Sequence, residues 1–287
     1  MGEIRDGQEE PEHVNRPEIP ASDDTGAARR QMEPRSRAEY AAELERNVAL
    51  VTFEPRRAGL PEVSSKDATA YLDKHHMERP WLSVARDCPP EVQRIFAALD
   101  QGGGHAHIRH EGWVTEEMNE RRVGNLEDPA QLDPAKRAAG IDGLAADDRP
   151  HRCGRIATRI TSPDAFAIAL AIGVRHRDVR TALSTEFRER RIPPPVVLPI
   201  AEVLGPDGHR FCSGWQLEPV DGSLKTARNL RDAWAATRDG PEPKSRRVQT
   251  FEGGTLSFVL GPNQAHDGYE IVTMNVNPPG RQGSDVR

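Results

Sequence analysis

The chain predicts an α+β fold: N-terminal helices packed on a small antiparallel sheet, preceded by an acidic, disordered leader. Three observations carry this reading. Apolar residues recur at helical spacing between residues 90 and 187. The period shortens to two over residues 255–276. Residues 1–35 are rich in Glu, Pro, Asp and Arg and show almost no apolar period.

The 287 residues give room for one large domain or two small ones. Lys and Arg number 39 against 45 Asp and Glu, a formal net charge of −6. Residues 1–100 carry all of it, and residues 101–287 sum to zero. A balanced rear has no global field for nucleic acid, so such binding needs a local basic pocket. His151-Arg152-Cys153-Gly154-Arg155 with Arg159 is one candidate, and Arg175, Arg177 and Arg180 another. A solvated face is the plainer reading of each. No stretch approaches the roughly 20 apolar residues of a membrane helix, and the N-terminus lacks the apolar core of a signal peptide. The expected location is the cytoplasm of the producing cell, with secretion or delivery into a target cell as the other route. Cys88, Cys153 and Cys212 are odd in number and far apart, which argues against a disulfide framework or a zinc knuckle.

Two domains follow: a largely disordered leader with short helices over 1–90, and an α+β domain over 91–287. Within the leader, Tyr40, Leu44 and Val48 predict a short helix over 36–49, and residues 65–72 predict another. Pro90 opens a helix whose stripe is Val92, Ile95, Phe96 and Leu99. Gly102-Gly103-Gly104 breaks the chain, and a further helix starts from Thr115. Residues 124–150 read as a loop. Ser162-Pro163-Asp164 is a strong helix start before the apolar run Phe166–Ile172. Val179, Leu183 and Phe187 mark another amphipathic stretch, which Pro193-Pro194-Pro195 stops. Residues 255–260 and 269–276 read as a hairpin. In its second strand Val272, Met274 and Val276 share one face, and Ile271, Thr273 and Asn275 the other.

His105-Ala106-His107-Ile108-Arg109-His110 places three of the ten histidines within six residues. A metal hydrolase would use His105, His107 and His110, but Arg109 beside them opposes a cation. The other acids and histidines stand at no evident metal spacing, so the expected metal and cofactor content is none. An acid–base reading needs only a neutral imidazole to take a proton from a hydroxyl, with a cation such as Arg121 to balance charge on phosphorus.

Gly104-His105-Ala106-His107-Ile108-Arg109-His110 resembles the GHxxxRH opening of the bacterial RNase A-like toxin domain of contact-dependent inhibition and other polymorphic toxins. Arg121 stands eleven residues after His110, as the family's Arg does. Residues 157–166, ATRITSPDAF, resemble its segment before a helix, and Gly268–Pro278 its terminal GYxIxTxYP strand. Asn275 stands where the family has Tyr, and Glu111-Gly112 where it has Val-Gly.

The resemblance implies a small, kidney-shaped α+β fold that cleaves RNA without metal through the ribose 2′-hydroxyl. Catalytic roles fall to His110 as acid/base, Arg121 as phosphate ligand, Thr273, Asn275 and His105; Arg109, Arg159 and Tyr269 would contact substrate. The implied partners are RNA and a cognate immunity protein, with neither DNA nor membrane. A non-catalytic interaction or regulatory protein of the same fold and the metal hydrolase stay open beside it.

Overall fold

The computed structural model describes residues 53–102, 104–184, 193–263 and 268–280. The chain divides into Met1–Arg35 and Ser36–Arg287, and every described residue belongs to the second unit. The helix expected over 36–49 and the position of Phe187 lie outside the described residues.

Helix α1 (Ser65–His75) is capped by Ser64, whose hydroxyl accepts from the Asp67 N–H. The one-turn α2 (Pro80–Ser83) leads to α3 (Pro90–Gly102), which carries the expected Val92, Ile95, Phe96 and Leu99 stripe into the core. A single turn, α4 (Ala106–Arg109), follows the glycines. Thr115 caps α5 (Glu116–Asn125), and the stretch read as loop holds the short α6 (Pro134–Ala138). Strand β1 (Ile156–Ile160) precedes α7 (Pro163–Gly173), which starts at the Ser162-Pro163 signal. Residues Ala165–Ala171 of α7 are all buried, so it is the central helix of the core. Gly173 ends it against β-sheet: a Cβ there would meet the Phe258 ring at 2.1 Å.

After α8 (Arg177–Leu183) come β2 (Val196–Pro199), α9 (Ile200–Leu204), β3 (Cys212–Leu217), α10 (Leu224–Thr237) and β4 (Ser245–Arg247). The hairpin is β5 (Thr255–Pro262) with β6 (Tyr269–Asn277). The class is α+β, but the single small sheet resolves into two three-stranded ones, both antiparallel: β1-β3-β4 and β2-β5-β6. The Thr158 hydroxyl of β1 donates to the Val276 carbonyl of β6 at 2.7 Å and ties the two together.

Two expectations change here. The domain does not begin near residue 90. Phe53, Leu60, Val63, Leu72, Trp81 and Leu82 are buried in the same core as Phe96, Phe166 and Phe258. Residues 53–90 are therefore structural, and burying six large apolar side chains offsets their ordering entropy. The faces of β6 also differ from strict alternation. The β5–β6 register slips between Val259 and Leu260, opposite Val272. That bulge turns Ile271 to the core with Met274 and Val276, all 0% exposed. Thr273 and Asn275 keep the other face. Among the described residues, no helix is long and apolar enough to cross a membrane.

Candidate functional site

A cleft of about 770 Å³ opens where α4, α5, β6, α10 and the 150–154 loop meet. His105, His110, Arg122, Thr273 and Asn275 all line it. Gly104 makes the approach: a Cβ there would stand 3.0 Å from the Ile271 carbonyl, and the next N–H, of His105, donates to the Val272 carbonyl at 2.8 Å. The bulged β6 thus holds the start of α4 against its own Thr273.

His110 is fixed to β1 at two points. Its carbonyl accepts from the Ile160 N–H at 2.9 Å, and its Nδ1 lies 2.9 Å from the Thr158 carbonyl. A carbonyl only accepts, so Nδ1 carries the hydrogen and Nε2 the lone pair. Burial, and then the charge of Arg122, hold the His110 pKa well below its ordinary value. Burial, with Arg109 and Arg122 nearby, lowers His105 to about 3. Both imidazoles are neutral at pH 7.

Arg122 projects from α5 into the cleft. Its Nη1 donates to the Arg109 carbonyl at 2.9 Å and its Nε to His151 Nε2 at 3.4 Å. Burial lowers its pKa, but a guanidinium keeps its proton at neutral pH. Thr273 is 9% exposed, and its Oγ1 has no hydrogen-bond partner among the described residues. The Asn275 amide donates to Asn277 Oδ1 at 3.3 Å, and Asn277 to Ser257 Oγ at 2.8 Å. The cleft therefore offers a neutral base, a fixed cation, a free hydroxyl and an amide.

Four expected site residues take other roles. Arg121 lies outside the cleft, half exposed, with Glu117 at 2.9 Å and Glu127 at 3.7 Å. Successive helix residues diverge by about 100°, so Asn119, Arg122 and Val123 turn inward and Arg121 outward. Arg109 lines the cleft, but its guanidinium is taken by Asp128 and Asp142. Arg159 alternates away from Thr158 and staples β1 to the carbonyls of Gly112 and Val114, to Glu116 and to Ser213. Tyr269, 7% exposed, belongs to the core cluster. Glu111, next to His110, points away from the cleft and accepts from the Trp113 N–H at 3.0 Å; burial pushes its pKa up to about 7.

The three histidines of the cluster do not converge. His107 is fully buried on the far side of α4, with Nε2 3.3 Å from Asp100 Oδ1. Among the described residues, one group brings three metal-type donors within 4.8 Å of one another: Asp128, Asp142 and His151. The Arg109 guanidinium already lies on both carboxylates, so a cation's place is filled by the protein's own charge. Of the two basic runs, His151, Arg152, Cys153 and Gly154 reach the cleft, while Arg175, Arg177 and Arg180 do not.

Sequence reasoning missed Arg122, Thr158 and Arg231. Arg231 is 1% exposed and donates to the Val123, Cys153 and Gly154 carbonyls, holding α10 on the cleft wall. The inward face of α5, counted from its Thr115 cap, was the signal for Arg122.

Geometry and residue chemistry define the class: an α+β protein with a cleft lined by histidine and arginine. Compared with protein families, curated proteins and solved structures, the chain matches none.

Proposed function

We propose that the protein is a metal-independent ribonuclease, of the RNase A-like toxin or effector kind, that cleaves RNA by 2′-hydroxyl transphosphorylation. One observation carries this reading: His110 presents a bare Nε2 in a cleft shared with Arg122, His105 and an unpartnered Thr273 hydroxyl. In the proposed reaction Nε2 takes the 2′-hydroxyl proton as the 2′-oxygen bonds to phosphorus. The bond to the 5′-oxygen breaks, and that oxygen takes the proton from the His110 imidazolium formed in the first step. Products are a 2′,3′-cyclic phosphate and a 5′-hydroxyl. Arg122, in place of Arg121, balances charge on the pentacoordinate phosphorus. Thr273 and Asn275 contact a phosphate oxygen or base, and His105 is the second imidazole within reach.

A non-catalytic RNA-binding or regulatory role is the second reading. Asn275, which cannot titrate, favours it, as does the neutral state of the cleft histidines His105, His110 and His151, which leaves no protonated imidazole in the resting cleft. The test is single-stranded RNA incubated with the purified chain and a chelator. The proposal expects cleavage to 2′,3′-cyclic ends with DNA left intact. RNA that binds without being cleaved moves the assignment to the second reading, and cleavage abolished by the chelator contradicts both.

A further inference from the structure

Helix α10 has two working faces. One gives Arg228, Arg231 and Asp232 to the histidine cleft. The other borders a separate groove of about 730 Å³. In that groove Leu230 is 54% exposed, unusual for a large apolar side chain in this chain, and Trp234 lies beside it. Leu217 of β3 and Ala227 form a buried apolar floor. Acids border the groove: Glu218, Asp239 and Glu242 at its edge, and Glu117 and Glu120 in the hollow that adjoins it. The bases there are fewer. Arg121 is paired with Glu117 and Glu127, and Arg238 stacks on Trp234 at 4.5 Å, leaving Lys244. Glu120, Glu218 and Asp239 have no ion pair among the described residues.

We propose that this groove docks a basic peptide segment of another protein, one that carries large apolar side chains along one face. An apolar floor takes anchor side chains, and an acidic rim pairs with the Lys or Arg between them. The same rim repels nucleic acid. Residues 1–52 of this chain are a poor occupant: twelve acidic against seven basic residues give them a net charge of the same sign as the rim. The proposal does not depend on the ribonuclease reading.

The test uses the full chain and a labelled helical peptide of Leu and Lys, read by fluorescence anisotropy. Two control peptides replace Lys by Glu, or Leu by Ser. The expected result is saturable one-to-one binding of the Leu/Lys peptide alone. Leu230→Ser and Glu218→Lys should each weaken it by about tenfold or more, with circular dichroism showing both variants folded. Val197→Ser, at another exposed apolar residue (41%) outside the groove, should leave it unchanged. Equal binding by the Leu230→Ser and Glu218→Lys variants, equal loss in Val197→Ser, or binding of the Glu peptide would overturn the proposal. So would self-association of the chain that Leu230→Ser abolishes, since the groove would then serve a second copy.

Discussion

His107 and His110 stand three residues apart and face two different interiors. Around His107, donors converge on one carboxylate: Asp100 accepts from Tyr71 at 2.8 Å, from Trp81 at 2.7 Å, from Arg79 and from His107. Burial opposes ionisation of Asp100, but these donors win and hold its pKa below the usual carboxylate range. Around His110 the order is reversed. One ring nitrogen is fixed by Thr158, and the other, with Arg122 and Thr273, faces an open cleft. The same residue type is enclosed with its partner in one place and leaves a lone pair facing space in the other.

The sharpest way to break this contrast is at Asp100. Asp100→Ala leaves Arg79 without its partner and three further donors unmet. It should cost about 3–5 kcal/mol of stability, read as a fall in the urea midpoint at unchanged slope. The corresponding change in the cleft, Arg122→Ala, should instead lower kcat about 10²–10³-fold, the range for losing one charge-stabilising group. Arg121→Ala, one residue away on the solvent face, should leave cleavage unchanged. If Arg121→Ala costs as much as Arg122→Ala, the assignment of the inward face fails.

Glu111 sharpens the comparison through pH. Its folded pKa of about 7 lies above the usual 4.5, so between those values the native state holds a proton that the unfolded state has released. Glu111 therefore withdraws stability as pH rises from about 4.5 to 7, and the loss is complete above that. Glu111→Gln should gain up to about 3 kcal/mol at pH 8 and almost nothing at pH 4. The histidines act in the opposite direction. With His105 and His110 both depressed, unfolded imidazoles bind protons first, so their contribution is lost as pH falls below about 6.5. Urea titrations of wild type and Glu111→Gln at pH 4, 6 and 8 separate the two. The smallest expected change is in stability at Thr273→Val: the strand keeps a β-branched side chain of similar volume, within about 0.5 kcal/mol, while RNA cleavage falls. Unfolding by Thr273→Val would make that hydroxyl structural.

Much of this architecture was readable in the sequence where a local signal is strong. Ser162-Pro163-Asp164 started α7, Thr115 capped α5, and alternation marked β5 and β6. Residues 53–90 were not readable as core, because Phe53, Leu60 and Val63 fall on irregular backbone without a period, on either side of a single 3-10 turn over Pro55–Ala58. Strands β1 and β3 were missed because pairing between residues 156–160 and 212–216 is a long-range contact with no local mark. At the site, His105, His110, Thr273 and Asn275, which the sequence singled out, line one cleft. Arg121 turns outward and Arg122 lines the cleft, because spacing from His110 does not say where the helix begins, and the Thr115 cap sets which face turns inward.

The measurement closest to the central claim is a paired assay of His110→Ala and His107→Ala on single-stranded RNA with chelator present, normalised to folded protein. Loss of the base at His110 should lower the rate by roughly 10²–10⁴-fold with little change in the urea midpoint. Loss of His107 should lower the midpoint and leave the rate per folded molecule near wild type. Equal activity in His110→Ala and wild type, or a rate loss confined to His107→Ala, would contradict the assignment of the cleft.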